Sequence, residues 1–291
     1  MKNKSQGGTI FTDTDNIWGN NLTSDTASAA VDAQYGTALT WDYYKIVHGR
    51  NGIANDGKGA YNRVHYNRSY ANAYWSDSCF CMTYGDGDGR SLRALVSIDV
   101  AGHEMTHGVT SRSANLTYSG ESGGLNEATS DIFGTMVEFY ANNANDAGDY
   151  LIGEKVMISK AFLRNMMKPS ADGASADCWY SGLGSLDVHY SSGPANHWFY
   201  LLAEGTNSSL GASPTCVAGN TRVATGSGSL SGIGRDAAAK IWYRALTVKM
   251  TSSTNYAGAR AAAISAANDL YGAGSTQSNA VAAAWSAVGV N

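Results

Sequence analysis

Asp99-Val-Ala-Gly-His-Glu-Met-Thr-His107 is the stretch on which the reading of this chain turns. On a helix, residues four apart share a face, so His103 and His107 can grip one metal ion from the same side. Glu104 then stands beside that ion without binding it, placed to take a proton from a water the ion activates. With six histidines and six glutamates in 291 residues, about 0.003 such pentads are expected by chance. Twenty residues further on, Glu127 offers a third ligand. The plain alternative is a pair of solvated surface histidines, and the flanking residues argue against it.

Asp99, His103 and His107 recur at intervals of four, so a polar face runs along an otherwise apolar helix, whose stripe is read as Leu92, Leu95, Val96 and Val100. A second helix, expected over 126–142, repeats the pattern with Glu127, Asp131 and Glu138 set among Ile132, Phe133, Met136 and Phe139. Buried carboxylates cost several kcal/mol unless they are paired or bound to metal. Two such stripes therefore imply helices that face each other across ions. Two imidazoles, one carboxylate and an open position for water suit zinc. Metal-bound histidines pass their other N–H to a carboxylate, and Asp131 is the candidate for that role. Asp99 and Glu138 are too remote to reach the same zinc. Their oxygen-only chemistry points to a separate calcium site.

Composition agrees with an extracellular enzyme. Only 15% of residues are charged, the net charge is −4, and no Lys/Arg run appears, which excludes the clustered basic footprint that nucleic acid demands. No apolar run is long enough to span a bilayer, so no membrane partner is expected. The opening residues lack the apolar core of a secretion signal, so any signal is expected to have been removed or to lie outside this sequence. Four cysteines (Cys79, Cys81, Cys178, Cys216) allow three pairings. Cys178–Cys216 is the preferred disulfide, whereas Cys79–Cys81 would close a very short, strained ring. A Cys/His zinc site competes with that reading, but the spacing is not that of a zinc finger.

Strands are expected at 63–66 and 71–75 and a turn at 84–89, with one helix over 27–47 carrying Val31, Tyr35 and Leu39 on one side. Alanine-rich helices are expected over 235–250, 255–271 and 278–288. Strands first and helices after argue an α+β chain of two lobes. The β-rich lobe covers 1–112 and ends with the His-Glu-x-x-His helix; the mainly helical lobe covers 113–291, with the zinc site on the central helix between them.

These motifs, in this order, resemble the thermolysin-like family of secreted neutral metalloendopeptidases. The matching runs are Val31-Asp-Ala-Gln-Tyr35, Val64-His-Tyr66, Asn72-Ala-Tyr-Trp75, Tyr84-Gly-Asp-Gly-Asp-Gly89, the zinc-binding stretch itself, Gly123-Gly-Leu-Asn-Glu-Ala-Thr-Ser-Asp131, Glu138-Phe-Tyr140 and Asp187-Val-His-Tyr-Ser-Ser-Gly193. The last is closer in style to the pseudolysin and vibriolysin branch. The resemblance implies one catalytic zinc on His103, His107 and Glu127, with Glu104 as general base. It implies that His189 and Tyr118 stabilise the oxyanion, with Asp187 orienting His189. Asn72 and Ala73 would hydrogen-bond the substrate backbone. Arg164 would lie at the floor of the leaving-group pocket, lined by Leu95, Val100, Ile152, Val156 and Leu163. His48, His65 and His197 have no matching role and are read as structural.

At the calcium cluster, Asp99, Glu138, Asp149 and Glu154 match acidic positions, while Leu151 stands where thermolysin has an acid; fewer carboxylates should hold at least one calcium rather than a pair. The matching runs begin near residue 27, so a shortened or rebuilt front lobe is expected. The resemblance further implies a monomeric zymogen, exported with a folding pro-segment, that acts on proteins and peptides. Two other functions compete. An aminopeptidase would need an acidic anchor for the substrate's free amine, and no motif for one is present. A binding protein with a vestigial zinc fold would not need Glu104, His189 and Tyr118 together.

Three prolines and 34 glycines leave the unfolded chain unusually free. A modest thermal stability is therefore expected, as in proteins of cold habitats. A melting temperature measured well above about 45–65 °C would contradict it.

Overall fold

The computed structural model describes residues 8–291 and, among the first seven, the strand pairing of Lys2–Asn3. It divides into two compact units. One holds 1–109 and 133–163; the other holds 110–132 and 164–291.

The first unit is a small sheet with three long helices in its chain order. Strand β1 (Lys2–Asn3) is followed by helix α1 (Thr26–His48), β2 (Tyr61–Val64), β3 (Ala73–Ser76) and β4 (Cys81–Tyr84). Helix α2 (Ile98–Ser111) and the second half of α3 (Gly120–Ala141) complete it. The sheet order is β1-β2-β4-β3, with β3 antiparallel to β4 at the edge. An edge strand keeps one row of backbone groups unpaired, which is what an extended peptide needs to add itself to a sheet.

Helix α1 begins where the Asp25 carboxylate accepts the Ala27 N–H at 2.8 Å, and it stops at Gly49, whose φ of +67° lets its N–H return to the Lys45 carbonyl. Its buried face is not the expected Val31, Tyr35 and Leu39. Tyr35 is 46% exposed, and the helix buries Ala30, Ala33, Gly36, Thr37 and Thr40 instead. The reason is proximity. A methyl group at Gly36 would lie 2.5 Å from the Ala101 Cβ of α2, so only small residues fit on that side.

Helix α2 also differs from its reading. Leu92, Leu95 and Val96 precede it rather than forming its stripe, because the Leu95 N–H is engaged by the Gly85 carbonyl at 3.1 Å and the helix starts only at Ile98. Leu95 and Val96 are nonetheless buried, in a core with Val64, Met82, Tyr84, Val100 and Met105. Strand β4 was not anticipated. It lies between β2 and β3, and Arg63 of β2 donates to the Thr83 hydroxyl of β4 at 3.0 Å.

In the second unit, α4 (Val188–Ser191) leads into α5 (Gly193–Glu204), followed by α6 (Arg235–Arg244), α7 (Tyr256–Tyr271) and α8 (Thr276–Ala287). Helix α5 is buried from Gly193 to Ala203, and its Trp198 stacks on Trp285 of α8 with ring centres 4.5 Å apart. Trp242 of α6 closes the cluster at 5.0 Å from Trp198, and its indole N–H donates to Thr129 of α3 at 3.2 Å. The alanines of α7, Ala259, Ala263, Ala266 and Ala267, are fully buried and permit close helix packing. Both disulfides are formed, Cys178–Cys216 and Cys79–Cys81. No helix among the described residues is long and apolar enough to cross a membrane.

In the first unit, α2 and α3 meet at glycines. A Cβ on Gly134 would stand 2.5 Å from the Asp99 carbonyl oxygen and 3.2 Å from the His103 nitrogen, and one on Gly102 would stand 2.9 Å from the Gly134 Cα. These neighbours are backbone and cannot turn aside. Gly134→Ala should therefore cost about 1–3 kcal/mol, read as a lowered melting temperature; an unchanged melting temperature would show that the helices separate freely.

Candidate metal centre and catalytic groups

Helix α2 carries two residues that could hold a metal ion. His103 and His107 lie one turn apart, with their Nε2 atoms 3.1 Å from each other and their rings at 82°. Two imidazole nitrogens at that separation can both sit about 2.0–2.1 Å from one ion, subtending roughly 100°. The donor set thus fits zinc. The helix is fixed on both flanks. The Tyr44 hydroxyl bonds the Thr106 hydroxyl at 2.8 Å, and Gly108 lies against the Trp75 ring, where a Cβ would approach within 2.9 Å. Glu104 is buried. Burial holds the Tyr84 phenol protonated well above its ordinary range, and the nearby Glu104 charge reinforces this.

The second unit gathers the other expected groups around Glu127 of α3. The Tyr118 hydroxyl donates to one carboxylate oxygen of Glu127. The other oxygen is 3.6 Å from Nε2 of His189. His189 is itself oriented from behind, because its Nδ1 lies 2.7 Å from Asp187. Asp187 also caps α4, accepting the His189 backbone N–H at 3.0 Å. That backbone bond, then the side-chain bond, holds the Asp187 carboxyl below its usual range. Helix α4 can approach α3 because Gly123 and Gly124 carry no side chains; a Cβ on Gly124 would lie 2.6 Å from the Ser191 hydroxyl.

Asp131, one turn along α3 from Glu127, is held by a bidentate pair with Arg164 at 2.7 and 2.6 Å and by the Asn196 amide at 2.8 Å. Burial works against the Arg164 charge, but Asp131 outweighs it and keeps the guanidinium firmly protonated. Among the apolar residues expected near the leaving-group pocket, Leu95, Val100 and Val156 share one core, and Leu163 packs on it while bonding the Ile152 carbonyl at 2.7 Å. Asn72 and Ala73 stand at the start of the edge strand, and the Asn72 carbonyl accepts the Gly85 N–H at 3.0 Å.

A second acidic cluster lies wholly in the first unit. Asp99, Glu138 and Glu154 bring carboxylate oxygens within 4.8 Å of one another. Asp149 stands beside them, with its backbone N–H donating to Glu138 at 3.1 Å, while Leu151 contributes only a backbone N–H to Asp149 at 2.6 Å. Burial, and then the Asp99 charge, pushes the Glu138 carboxyl up to about 10 and that of Glu154 to about 8. The cluster includes one acid that sequence reasoning missed. Asp146 is 8% exposed, is raised by burial and by Asp99, and pairs with Lys155 at 3.6 Å. Its only signal was its place three residues before Asp149 in the same loop.

With this geometry in view, comparison with known proteins is direct. Residues 1–111 match the catalytic domain of the thermolysin metallopeptidases, and residues 114–290 match their alpha-helical domain. The chain belongs to the thermolysin metallopeptidase family. It is 62% identical over 287 residues to the transglutaminase-activating metalloprotease of Streptomyces mobaraensis, covering 97% of this chain and 37% of that protein. It is 44% identical over 298 aligned residues to bacillolysin of Bacillus cereus, covering 100% of this chain and 48% of that protein. The precursor of protealysin, a metalloproteinase from Serratia proteamaculans, superposes with a TM-score of 0.76 at 27% identity, covering all of this chain and 85% of that one. The chain thus spans less than half the length of these two curated relatives. Membership in the family implies a metal-dependent enzyme.

The acidic cluster sets a pH dependence for the metal-free fold. Glu138 and Glu154 bind protons more tightly when folded than at their ordinary value of 4.5. Their contribution is therefore fully favourable below about pH 4.5 and is lost as pH rises toward about 8 and then 10. The chelator-treated Glu104→Gln protein should melt at a lower temperature at pH 8.5 than at pH 6; equal melting temperatures would contradict the shifts.

Proposed function

We propose that the protein is a secreted, zinc-dependent neutral endopeptidase that hydrolyses internal peptide bonds of proteins before bulky apolar residues. The observation that carries this reading is the pair of Nε2 atoms on α2, 3.1 Å apart, with Glu104 between the two histidines in sequence. In the proposal Glu127 is the third zinc ligand. The chemistry of the set supports this, since two imidazoles and one carboxylate with an open position for water are a set that zinc accepts.

When bound, zinc would polarise the scissile carbonyl and lower the pKa of water. The rest of the work falls to side chains. Glu104 takes the proton of the attacking water and delivers it to the departing amine. His189 and Tyr118 would donate to the developing oxyanion, and the hydrogen bond that the His189 ring gives to Asp187 keeps the imidazole turned for that purpose. The edge strand at Asn72 and Ala73 would hold the substrate backbone, and Arg164, anchored on Asp131, would meet the residue beyond the scissile bond. Asp99, Glu138 and Glu154, with Asp149, Leu151 and Asp146 beside them, would hold at least one structural calcium, whose charge answers the repulsion among buried acids. Family membership supports a monomer made with its own pro-segment and exported, with proteins and peptides as its partners.

Glu104→Gln should abolish casein hydrolysis while zinc stays bound, measured by elemental analysis; full turnover would refute the base assignment. His189→Ala should lower kcat by about 10²–10³ with the same zinc content. Sequenced products should begin with residues such as Leu or Phe, and blocked peptides should be cut. Calcium added to the chelated Glu104→Gln protein should raise its melting temperature more at pH 8.5 than at pH 6, and an equal rise would weigh against the acidic cluster as its site.

A further inference from the structure

The Cys79–Cys81 bridge sits in the turn between β3 and β4, a feature the peptidase mechanism does not use. It brings the two Cα atoms to 5.3 Å, shorter than the roughly 6.6 Å that two residues span in a strand. Phe80, caught between the cysteines, has φ of +50°. An aromatic L-residue rarely enters this left-handed region, because its Cβ crowds the following carbonyl. This left-handed residue lies within the covalent ring.

Three contacts carry that constraint toward the proposed site, all within the first unit. The Phe80 ring packs edge-on against Trp75 of β3, centres 5.2 Å apart. The Trp75 ring in turn backs Gly108, the residue after His107, so closely that a Cβ there would approach within 2.9 Å. Arg63 reaches both the Cys79 sulfur at 3.7 Å and the Tyr74 hydroxyl of β3 at 3.5 Å. The two sulfurs differ in access, since Cys79 is half-buried at the turn and Cys81 is fully buried in β4.

We propose that Cys79–Cys81 is a thiol–disulfide exchange site, opened by a dithiol reductant, and that opening it loosens β3 and the His107 end of α2. A thiolate of the dithiol attacks Sγ of Cys79; the Cys79–Cys81 bond breaks, and Cys81 leaves as a thiolate that takes a proton from solvent. The second thiol of the reductant then attacks the mixed disulfide, forming the oxidised cyclic dithiol and releasing Cys79. Two electrons pass from the dithiol to the bridge. The Arg63 guanidinium favours the thiolate at Cys79, both as the released group and against reclosure at neutral pH. Release returns Phe80 to the extended region and withdraws its ring from Trp75. The other bridge lacks these properties. Cys178–Cys216 encloses a 38-residue separation, so folding itself holds its sulfurs together, whereas a separation of two gains little from the fold.

The labelling test uses the full Glu104→Gln chain in graded dithiothreitol, with trapping by iodoacetamide and peptide mapping. Cys79 and Cys81 should be labelled at about tenfold lower dithiol than Cys178 and Cys216, while circular dichroism remains that of the folded protein. Simultaneous opening of both bridges, or survival of Cys79–Cys81 until unfolding, would overturn the proposal. Phe80→Gly, which accepts the left-handed backbone freely, should demand several-fold more dithiol; no change would remove the backbone constraint from the argument. For activity, the C79S/C81S variant should show a KM several-fold above wild type on a blocked peptide, and its loss of rate in dithiothreitol measures zinc chelation alone. Should that variant not fold, wild-type protein opened by dithiol and dialysed without oxygen into zinc buffer gives the same comparison. A KM equal in the open and closed forms overturns the coupling. The activity arm rests on the peptidase reading and the labelling arm does not. Selective labelling of a chain whose wild type is inactive would sink that reading alone.

Discussion

Everything in the first unit depends on how closely α2 and α3 approach. Gly102 and Gly134 let backbone meet backbone, with room for no more than a hydrogen at either position. At that distance Asp99 of α2 and Glu138 of α3 share one buried space. A larger residue would force the helices apart and would also dissolve the cluster, since ligand atoms must converge within a few ångströms to hold an ion. Small residues along the crossing are therefore the condition for the charged ones beside it.

The consequence is electrostatic. Asp99, Glu138, Glu154 and Asp146 are packed where water cannot screen them, and a carboxyl driven to about 10 is in effect kept neutral at physiological pH. A fold does not gather such groups for stability in the absence of a cation. The second unit treats its charges differently. Asp131 is answered inside the protein by Arg164 and Asn196, and Asp187 accepts from His189.

Covalent and steric constraints around β3 add a third element. The strand lies at the sheet edge, and its Trp75 is braced between Phe80 and Gly108. A left-handed Phe80 on one side and a glycine on the helix of His103 and His107 on the other leave the indole little freedom. Through that one ring, the turn holding Cys79 and Cys81 is mechanically joined to the helix holding His107.

The local pattern in the sequence was enough to bring out the paired histidines of α2 and the family, because i, i+4 spacing on a helix is a property of neighbouring residues alone. It also placed α6, α7 and α8 within a few residues, their alanine-rich runs being strong helix formers. It misassigned the buried face of α1 and the stripe before α2, it gave no sign of strand β4, and it marked Asp146 only by its place three residues before Asp149. Those features are decided by distant partners: Ala101 pressing on Gly36, Gly85 claiming the Leu95 N–H, β2 and β3 enclosing Cys81–Tyr84, and Asp99 raising an acid 47 positions away in the sequence. Periodicity records which side of an element is apolar, but which neighbour comes near enough to require a glycine or to perturb a carboxyl is settled only when the chain has folded.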